Sequence, residues 1–245
     1  MRFYFFIRWF ALDSVLCVAV VQTFLMLLFS KFSLFILFGL CCVTSLFYIL
    51  DRVFDLYLDS NELCERHFIY QNRYVPLGIS LIVLGCPSII FWLLLPTLLK
   101  FYLFLIFCIY VAHLVALKIK YYHFLKPFIV AFIFTLIMVV FYEQIIVSQL
   151  VFFIYSYTCL NLVGHEFIEL KRMWYFYGCI LLSIITIFFA IQISHLFMTF
   201  VLISVTMYLV VIYFNERFKF WFECGELLYS VPFILMGLVL WMDYL

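Results

Sequence analysis

The chain has 245 residues, of which 70% are hydrophobic, 23% are aromatic and 11% are charged. An average soluble domain carries about 25% charged residues, so this composition excludes an ordinary soluble enzyme and predicts an integral membrane protein. The net charge of +1 and the lack of a basic run give no indication of a nucleic-acid partner.

Apolar runs of nearly membrane length recur along the whole sequence. An α-helix rises about 1.5 Å per residue, so about 20 apolar residues cross a bilayer core of about 30 Å. We predict an all-α bundle that forms a single transmembrane domain over residues 1–245. Its spans, about nine in number, are 12–30, 33–50, 76–95, 100–117, 127–142, 145–163, 175–192, 195–214 and 227–243.

The predicted spans are joined alternately by very short turns and by longer polar connections. This pattern predicts helical hairpins whose longer connections all lie on one side of the membrane, together with the N-terminus. All Lys and Arg residues except Lys31 and Lys100 fall on that side. Because positively charged connections stay in the cytoplasm, we predict a cytoplasmic N-terminus. We expect the membrane to be a bacterial inner membrane or an organelle membrane.

The densest polar stretch in the sequence begins at Asp51, where the second span is predicted to leave the membrane. No Gly or Pro interrupts residues 43–73, so a continuous helix would place Asp51, Asp55 and Asp59 within a narrow arc. Stacked carboxylates at the end of a helix repel one another and oppose the helix dipole. Their spacing suits Mg²⁺ bound together with substrate phosphate oxygens. The alternative is a solvated acidic loop beside basic residues.

A second polar stretch follows the sixth predicted span, from Asn161 to Arg172. Asn161, His165 and Glu169 recur at four-residue spacing, which places them on one helix face. Glu166 and Glu169 form a second closely spaced acidic pair. His165 is a candidate ligand or base, with an interfacial residue as the alternative.

A third polar stretch follows the fourth predicted span and contains Lys118, Lys120 and Lys126 with interleaved tyrosines. Such residues usually anchor helices at the lipid headgroups. Beside two acidic stretches, however, these lysines are also candidates for contact with phosphate oxygens.

A few polar residues lie inside the predicted spans. We expect them to face the bundle interior, where intramembrane polar groups find partners. They are Gln22, His113 and Gln192.

Two acidic stretches that leave the second and sixth of nine spans on one face resemble the UbiA-type intramembrane prenyltransferases. The first motif of that family, N-D-x-x-D-x-x-x-D, matches residues 51–59 and is kept at Asp55 and Asp59. Asp51 stands where the family has Asn, and Arg52 stands where it has Asp.

The second acidic motif of the family corresponds to the stretch that begins at Asn161. The resemblance implies nine helices around a cavity, with Mg²⁺ bridging both motifs and the diphosphate of an isoprenyl donor. It also implies transfer of the isoprenyl group to a lipid-soluble acceptor. The implied catalytic residues are Asp55, Asp59, Glu166 and Glu169. The implied metal ligands are Asp51, Asp55, Asp59, Asn161, Glu166 and Glu169. The implied diphosphate-binding residues are Arg52, Arg66, Lys118, Lys120, Lys126 and Arg172.

Two alternatives to the prenyltransferase share the same composition. One is a non-catalytic membrane protein of the same fold, which the cation at Arg52 in place of an acidic residue favours. The other is an accessory subunit of a membrane complex. A transporter is disfavoured because charges are nearly absent from the span centres.

Overall fold

The computed structural model describes residues 10, 12–58, 74–116, 125–142, 149–170, 173–213 and 225–243. Within these ranges every regular element is an α-helix, which confirms the predicted all-α class. The described helices are α1 Leu12–Leu28, α2 Leu34–Leu58, α3 Tyr74–Leu94, α4 Thr97–Ala116, α5 Lys126–Val139, α6 Gln149–Leu170, α7 Met173–Ile193, α8 His195–Tyr213 and α9 Gly225–Asp243.

Five of the described helices contain segments that are long and apolar enough to cross a membrane. These segments are Leu34–Asp51, Val75–Leu94, Thr97–Ala116, Met173–Ile193 and His195–Tyr213. Each has at least 18 residues, which correspond to about 27 Å of helix and approach the thickness of a bilayer core. The apolar segments of α1, α5, α6 and α9 are shorter. The five long apolar helices support the prediction of a membrane protein.

Two helices extend well beyond their apolar runs. α2 continues past the predicted span end at Leu50 to Leu58, and α6 continues past Val163 to Leu170. The first acidic stretch therefore begins as helix, and the second polar stretch is helical up to Leu170. The alternative of an acidic loop is wrong for residues 51–58, because their backbone continues α2.

Serine residues shape the short turns after α1 and α7. Ser30 has a φ of 53°, and this left-handed residue lets the Lys31 N–H donate to the Met26 carbonyl at 3.0 Å. Ser33 and Ser194 cap the helices that follow, since each hydroxyl accepts the backbone N–H three residues later, at 3.4 Å and 3.0 Å.

The chain forms two compact units, and α1 is divided between them. The first unit comprises Met1–Gln22 and Phe32–Lys126, and the second comprises Thr23–Lys31 and Pro127–Leu245. The single transmembrane domain over residues 1–245 stays a prediction.

In the first unit α2 packs antiparallel against α3. Gly39, near the start of α2, lies against the ring of Phe91 near the end of α3. Ile49, near the other end of the apolar part of α2, packs against Leu77 and Leu81 near the start of α3. A Cβ atom at Gly39 would overlap the Phe91 ring, so only glycine allows this approach of the two helices.

In the second unit α6 packs against α7, α8 and α9. The α6–α7 pair is antiparallel, because Phe152 contacts Phe189 and Phe167 contacts Phe176, with ring centroids 5.4 Å and 5.5 Å apart. Aromatic rings from α1, α6, α8 and α9 form a buried cluster, and such ring pairs stabilise a core beyond their buried area. The rings of the cluster belong to Phe24, Phe153, Tyr157, Phe197, Tyr229 and Phe233.

Candidate functional site

Asp51 opens the first acidic stretch and directs its carboxylate into the first unit. Its side chain is 21% exposed, and its Oδ1 atom is buried. This oxygen lies 3.6 Å from Nε2 of His113 in α4, whose side chain is completely buried. The acidic stretch therefore begins on an interior face of α2 rather than on a solvated surface.

Contacts one turn earlier fix the register of α2 against α4. The rings of Phe47 and Tyr110 stack with centroids 4.6 Å apart, and the Tyr110 hydroxyl donates to the Phe47 carbonyl at 3.3 Å. From these residues to Asp51 and His113 the numbering rises along both helices, so α2 and α4 run parallel here. This is the relative direction that the hairpin pattern predicts for the second and fourth spans.

Asn161 opens the second polar stretch, in α6 of the second unit. Its side-chain Oδ1 is buried and accepts no hydrogen bond from any group that the structure describes. Its backbone carbonyl accepts the hydroxyl of Tyr208 from α8 at 2.7 Å. Gly164 lies directly against Tyr208, and a Cβ atom there would overlap the Tyr208 hydroxyl. Asn161 is thus held by an α6–α8 contact that depends on a glycine.

The α6–α8 pair is parallel, like the α2–α4 pair of the first unit. One turn before Asn161, the hydroxyl of Tyr157 hydrogen-bonds to the hydroxyl of Ser204 at 2.8 Å. Tyr208 follows Ser204 by four residues, as Asn161 follows Tyr157, so both helices advance together. The first polar stretch thus lies on α2, which packs parallel to α4, and the second lies on α6, which packs parallel to α8.

Only two of the six predicted metal ligands have side chains within the described part of the chain. These are Asp51 and Asn161, and both hold a buried oxygen without a hydrogen bond there. A buried acceptor left without a hydrogen bond costs about 1–3 kcal/mol, so it calls for a specific explanation such as an ion or water ligand. Both are side-chain oxygens of the type that Mg²⁺ takes as ligands. Each of the two residues can therefore supply one oxygen ligand to the predicted Mg²⁺ ion.

The described side chains do not by themselves complete a metal centre. Among them, no group of three or more His, Cys, Asp or Glu residues is placed to hold an ion. Lys126 is described, and it is half-buried as the first residue of α5. The predicted residues whose side chains lie outside the described part of the chain are Arg52, Asp55, Asp59, Arg66, Lys118, Lys120, His165, Glu166, Glu169 and Arg172. The convergence of the catalytic carboxylates stays a prediction.

The predictions for polar residues inside the spans had mixed outcomes. Gln22 and His113 are 0% and 2% exposed, which confirms that they face inward. The prediction for Gln192 is wrong, because this side chain is exposed in the last turn of α7. Sequence reasoning did not pair His113 with Asp51, although both lie near the ends of spans predicted to run in the same direction. It also missed Tyr208, which nothing distinguishes among the 18 tyrosines.

Comparisons with protein-family models, with curated proteins and with solved structures found no match for the chain. The resemblance to UbiA-type prenyltransferases stays a prediction from the residues and positions of the two polar stretches.

Proposed function

We propose that the chain is an intramembrane prenyltransferase of the UbiA type, with about nine spans and a cytoplasmic N-terminus, in a bacterial inner membrane or an organelle membrane. It transfers an isoprenyl group from a diphosphate donor to a lipid-soluble acceptor and depends on Mg²⁺. One observation carries this proposal. Asp51 and Asn161, one from each polar stretch, each hold a buried side-chain oxygen that accepts no hydrogen bond within the described residues.

Helix geometry extends this observation to the carboxylates that follow. Asp55 comes one turn after Asp51 in α2, and Glu169 comes about two turns after Asn161 in α6. Residues at these spacings share a helix face. We therefore propose Asp55 and Glu169 as further metal ligands on these two helix faces. The remaining carboxylates of the proposed site, Asp59 and Glu166, follow from the family resemblance.

The proposed reaction separates charge in a largely apolar protein. Mg²⁺ supplies positive charge that stabilises the diphosphate as a leaving group. The C–O bond of the donor breaks, and its electron pair leaves with the diphosphate. The allylic carbocation that remains forms a bond to the acceptor, which loses a proton. Apolar walls exclude water, which would otherwise capture the carbocation.

Cationic side chains assist the departure of the diphosphate in this proposal. A guanidinium binds two phosphate oxygens at once, so Arg52 replaces part of the charge that a metal ion would supply. In this proposal, Arg52 therefore lowers the number of Mg²⁺ ions that the site needs. The other proposed diphosphate-binding residues are Arg66, Lys118, Lys120, Lys126 and Arg172.

The proposal is tested by binding of a non-hydrolysable isoprenyl diphosphate analogue to detergent-purified protein, followed as a shift in Tm. At 100 times its Kd, a ligand that binds only the folded state stabilises that state by about 2.7 kcal/mol. For a chain of this size that corresponds to a Tm increase of about 5–10 °C. We expect this increase with Mg²⁺ and its loss with EDTA.

Two substitutions and a matched control locate the binding site. Asp55→Asn and Asn161→Ala should each abolish the Mg²⁺-dependent increase in Tm. Thr199→Ala should retain it, because Thr199 is exposed and its hydroxyl donates only to the carbonyl of His195 in its own helix. If folded wild-type protein shows no increase in Tm, the chain is instead a non-catalytic relative or an accessory subunit.

A further inference from the structure

His113 is a buried polar residue that the proposed reaction does not yet use. It lies in the last turn of the apolar helix α4, and its side chain has no exposed surface. An ionisable side chain within a membrane helix is costly, and such residues usually mark functional sites. Its Nε2 atom faces Oδ1 of Asp51 at 3.6 Å.

The Asp51 carboxylate needs a partner of this kind. Its side chain is only 21% exposed, and removing a carboxylate from water costs several kcal/mol unless a hydrogen bond or a cation compensates. The 3.6 Å separation is within ion-pair distance and exceeds a normal N–H···O hydrogen bond by only a few tenths of an ångström. The stacked rings of Phe47 and Tyr110 one turn earlier hold α2 and α4 at this distance.

We infer that His113 is a positioning residue that orients the Asp51 carboxylate for binding the divalent cation. A carboxylate group has about four lone-pair sites, so accepting one N–H from His113 leaves room for a metal ion. Carboxylates that bind metals are commonly fixed by such hydrogen bonds from neighbouring side chains. Loss of the neighbour lowers metal affinity about 10–100-fold.

This inference rests on the proposed function, because the cation is the Mg²⁺ ion of that proposal. It differs from a purely structural role of His113 in what it predicts. A helix-packing residue changes the stability of the protein. A positioning residue changes the Mg²⁺ concentration that the site needs.

The experiment titrates Mg²⁺ against full-length protein in the presence of the non-hydrolysable analogue. It measures the Mg²⁺ concentration that gives half of the maximal increase in Tm. His113→Leu removes the N–H donor but keeps an apolar side chain of moderate size, and we expect it to raise this concentration about 10–100-fold. His113→Gln retains an N–H donor, so it should remain within about threefold of wild type.

A matched control separates packing from positioning. Tyr110→Phe keeps the ring that stacks on Phe47 and removes only the hydroxyl that donates to the Phe47 carbonyl. It keeps the ring stack that sets the α2–α4 distance and loses one hydrogen bond, so we expect it to lower Tm without changing the Mg²⁺ concentration for half-maximal stabilisation. Since His113 acts through Asp51, adding His113→Leu to Asp51→Asn should cause no further increase in that concentration.

The outcomes distinguish the inference from the proposed function. A folded wild-type protein that shows no Mg²⁺-dependent increase in Tm overturns the proposed function, and the inference with it. A wild-type protein that responds, together with a His113→Leu variant within about twofold of it, overturns the inference alone. So does an equal effect of His113→Leu with and without Asp51→Asn. If His113→Leu does not fold, His113→Met, which also lacks a donor, replaces it.

Discussion

Replacing Gly164 by Ala tests the close approach of α6 and α8 that holds Asn161 in place. The new Cβ atom would overlap the Tyr208 hydroxyl and lie 2.8 Å from two carbon atoms of its ring. Tyr208 is 4% exposed, and its hydroxyl donates to the Asn161 carbonyl at 2.7 Å. The ring therefore has little room to move without breaking that hydrogen bond.

The expected loss of stability follows from three contributions. Overpacking a filled core costs about 1–3 kcal/mol, and loss of the Tyr208 hydrogen bond costs about 0.5–1.5 kcal/mol. Alanine is more favourable than glycine within a helix by about 0.5–1 kcal/mol, which offsets part of the cost. We expect the free energy of unfolding to fall by about 0.5–4 kcal/mol.

The free energy of unfolding is measured by adding sodium dodecyl sulfate to protein in mild detergent and following the helical circular dichroism signal. Gly178→Ala in α7 is the matched control, because its Cβ atom would lie 3.4 Å from Cγ1 of Val163, an ordinary contact. This control should be neutral or stabilising by up to about 1 kcal/mol.

A double substitution examines whether the cost of Gly164→Ala arises at Tyr208. Tyr208→Phe removes the atom that the new Cβ would overlap most closely, so the two substitutions together should destabilise less than the sum of their separate effects. Residues in contact show interaction energies of about 0.5–3 kcal/mol. Strict additivity, or a Gly164→Ala variant as stable as Gly178→Ala, would refute the α6–α8 contact.

Three further predictions follow from the structure. Gly39→Ala should destabilise the first unit by about 1–3 kcal/mol in the same assay, because its Cβ would overlap the buried Phe91 ring, whereas Gly85→Ala, which faces open space, should be neutral or slightly stabilising. Ser204→Ala should cost about 0.5–1.5 kcal/mol, since it removes the hydrogen bond between the buried Tyr157 and Ser204 hydroxyls, and an unchanged free energy of unfolding would contradict the α6–α8 register. If the chain has nine spans and a cytoplasmic N-terminus, a reporter enzyme that works only outside the cytoplasm should be active when it is fused after Leu245. Activity of a reporter that works only in the cytoplasm would refute that topology.

The helices could be predicted from the sequence because their formation depends on local composition. Residues 33–50 are mostly apolar and contain no proline, and α2 covers them almost completely. The absence of Gly and Pro after Val43 also predicted that a helix continues into the acidic stretch, and α2 does reach Leu58. An apolar helix satisfies its own backbone hydrogen bonds inside a membrane, so a long apolar run has few alternatives.

The inward-facing side chains were harder to predict. A helix that is apolar on all sides has no hydrophobic stripe that identifies its packed face. The inward-facing side could be predicted only from polar residues, and that prediction is confirmed for Gln22 and His113. It failed for Gln192, because a polar side chain in the last turn of a helix can remain exposed instead of turning inward.

The sequence by itself determined the all-α class, the approximate bounds of the described helices and the positions of the polar stretches along the chain. These features depend on hydrophobicity and backbone preferences within each segment. Only the tertiary structure decided that Asp51 faces His113, that Asn161 is held by Tyr208, and that Gly164 permits that contact. Such pairs join helices that are distant in the chain. They depend on the register at which two apolar surfaces fit, which the pattern of either segment alone does not encode.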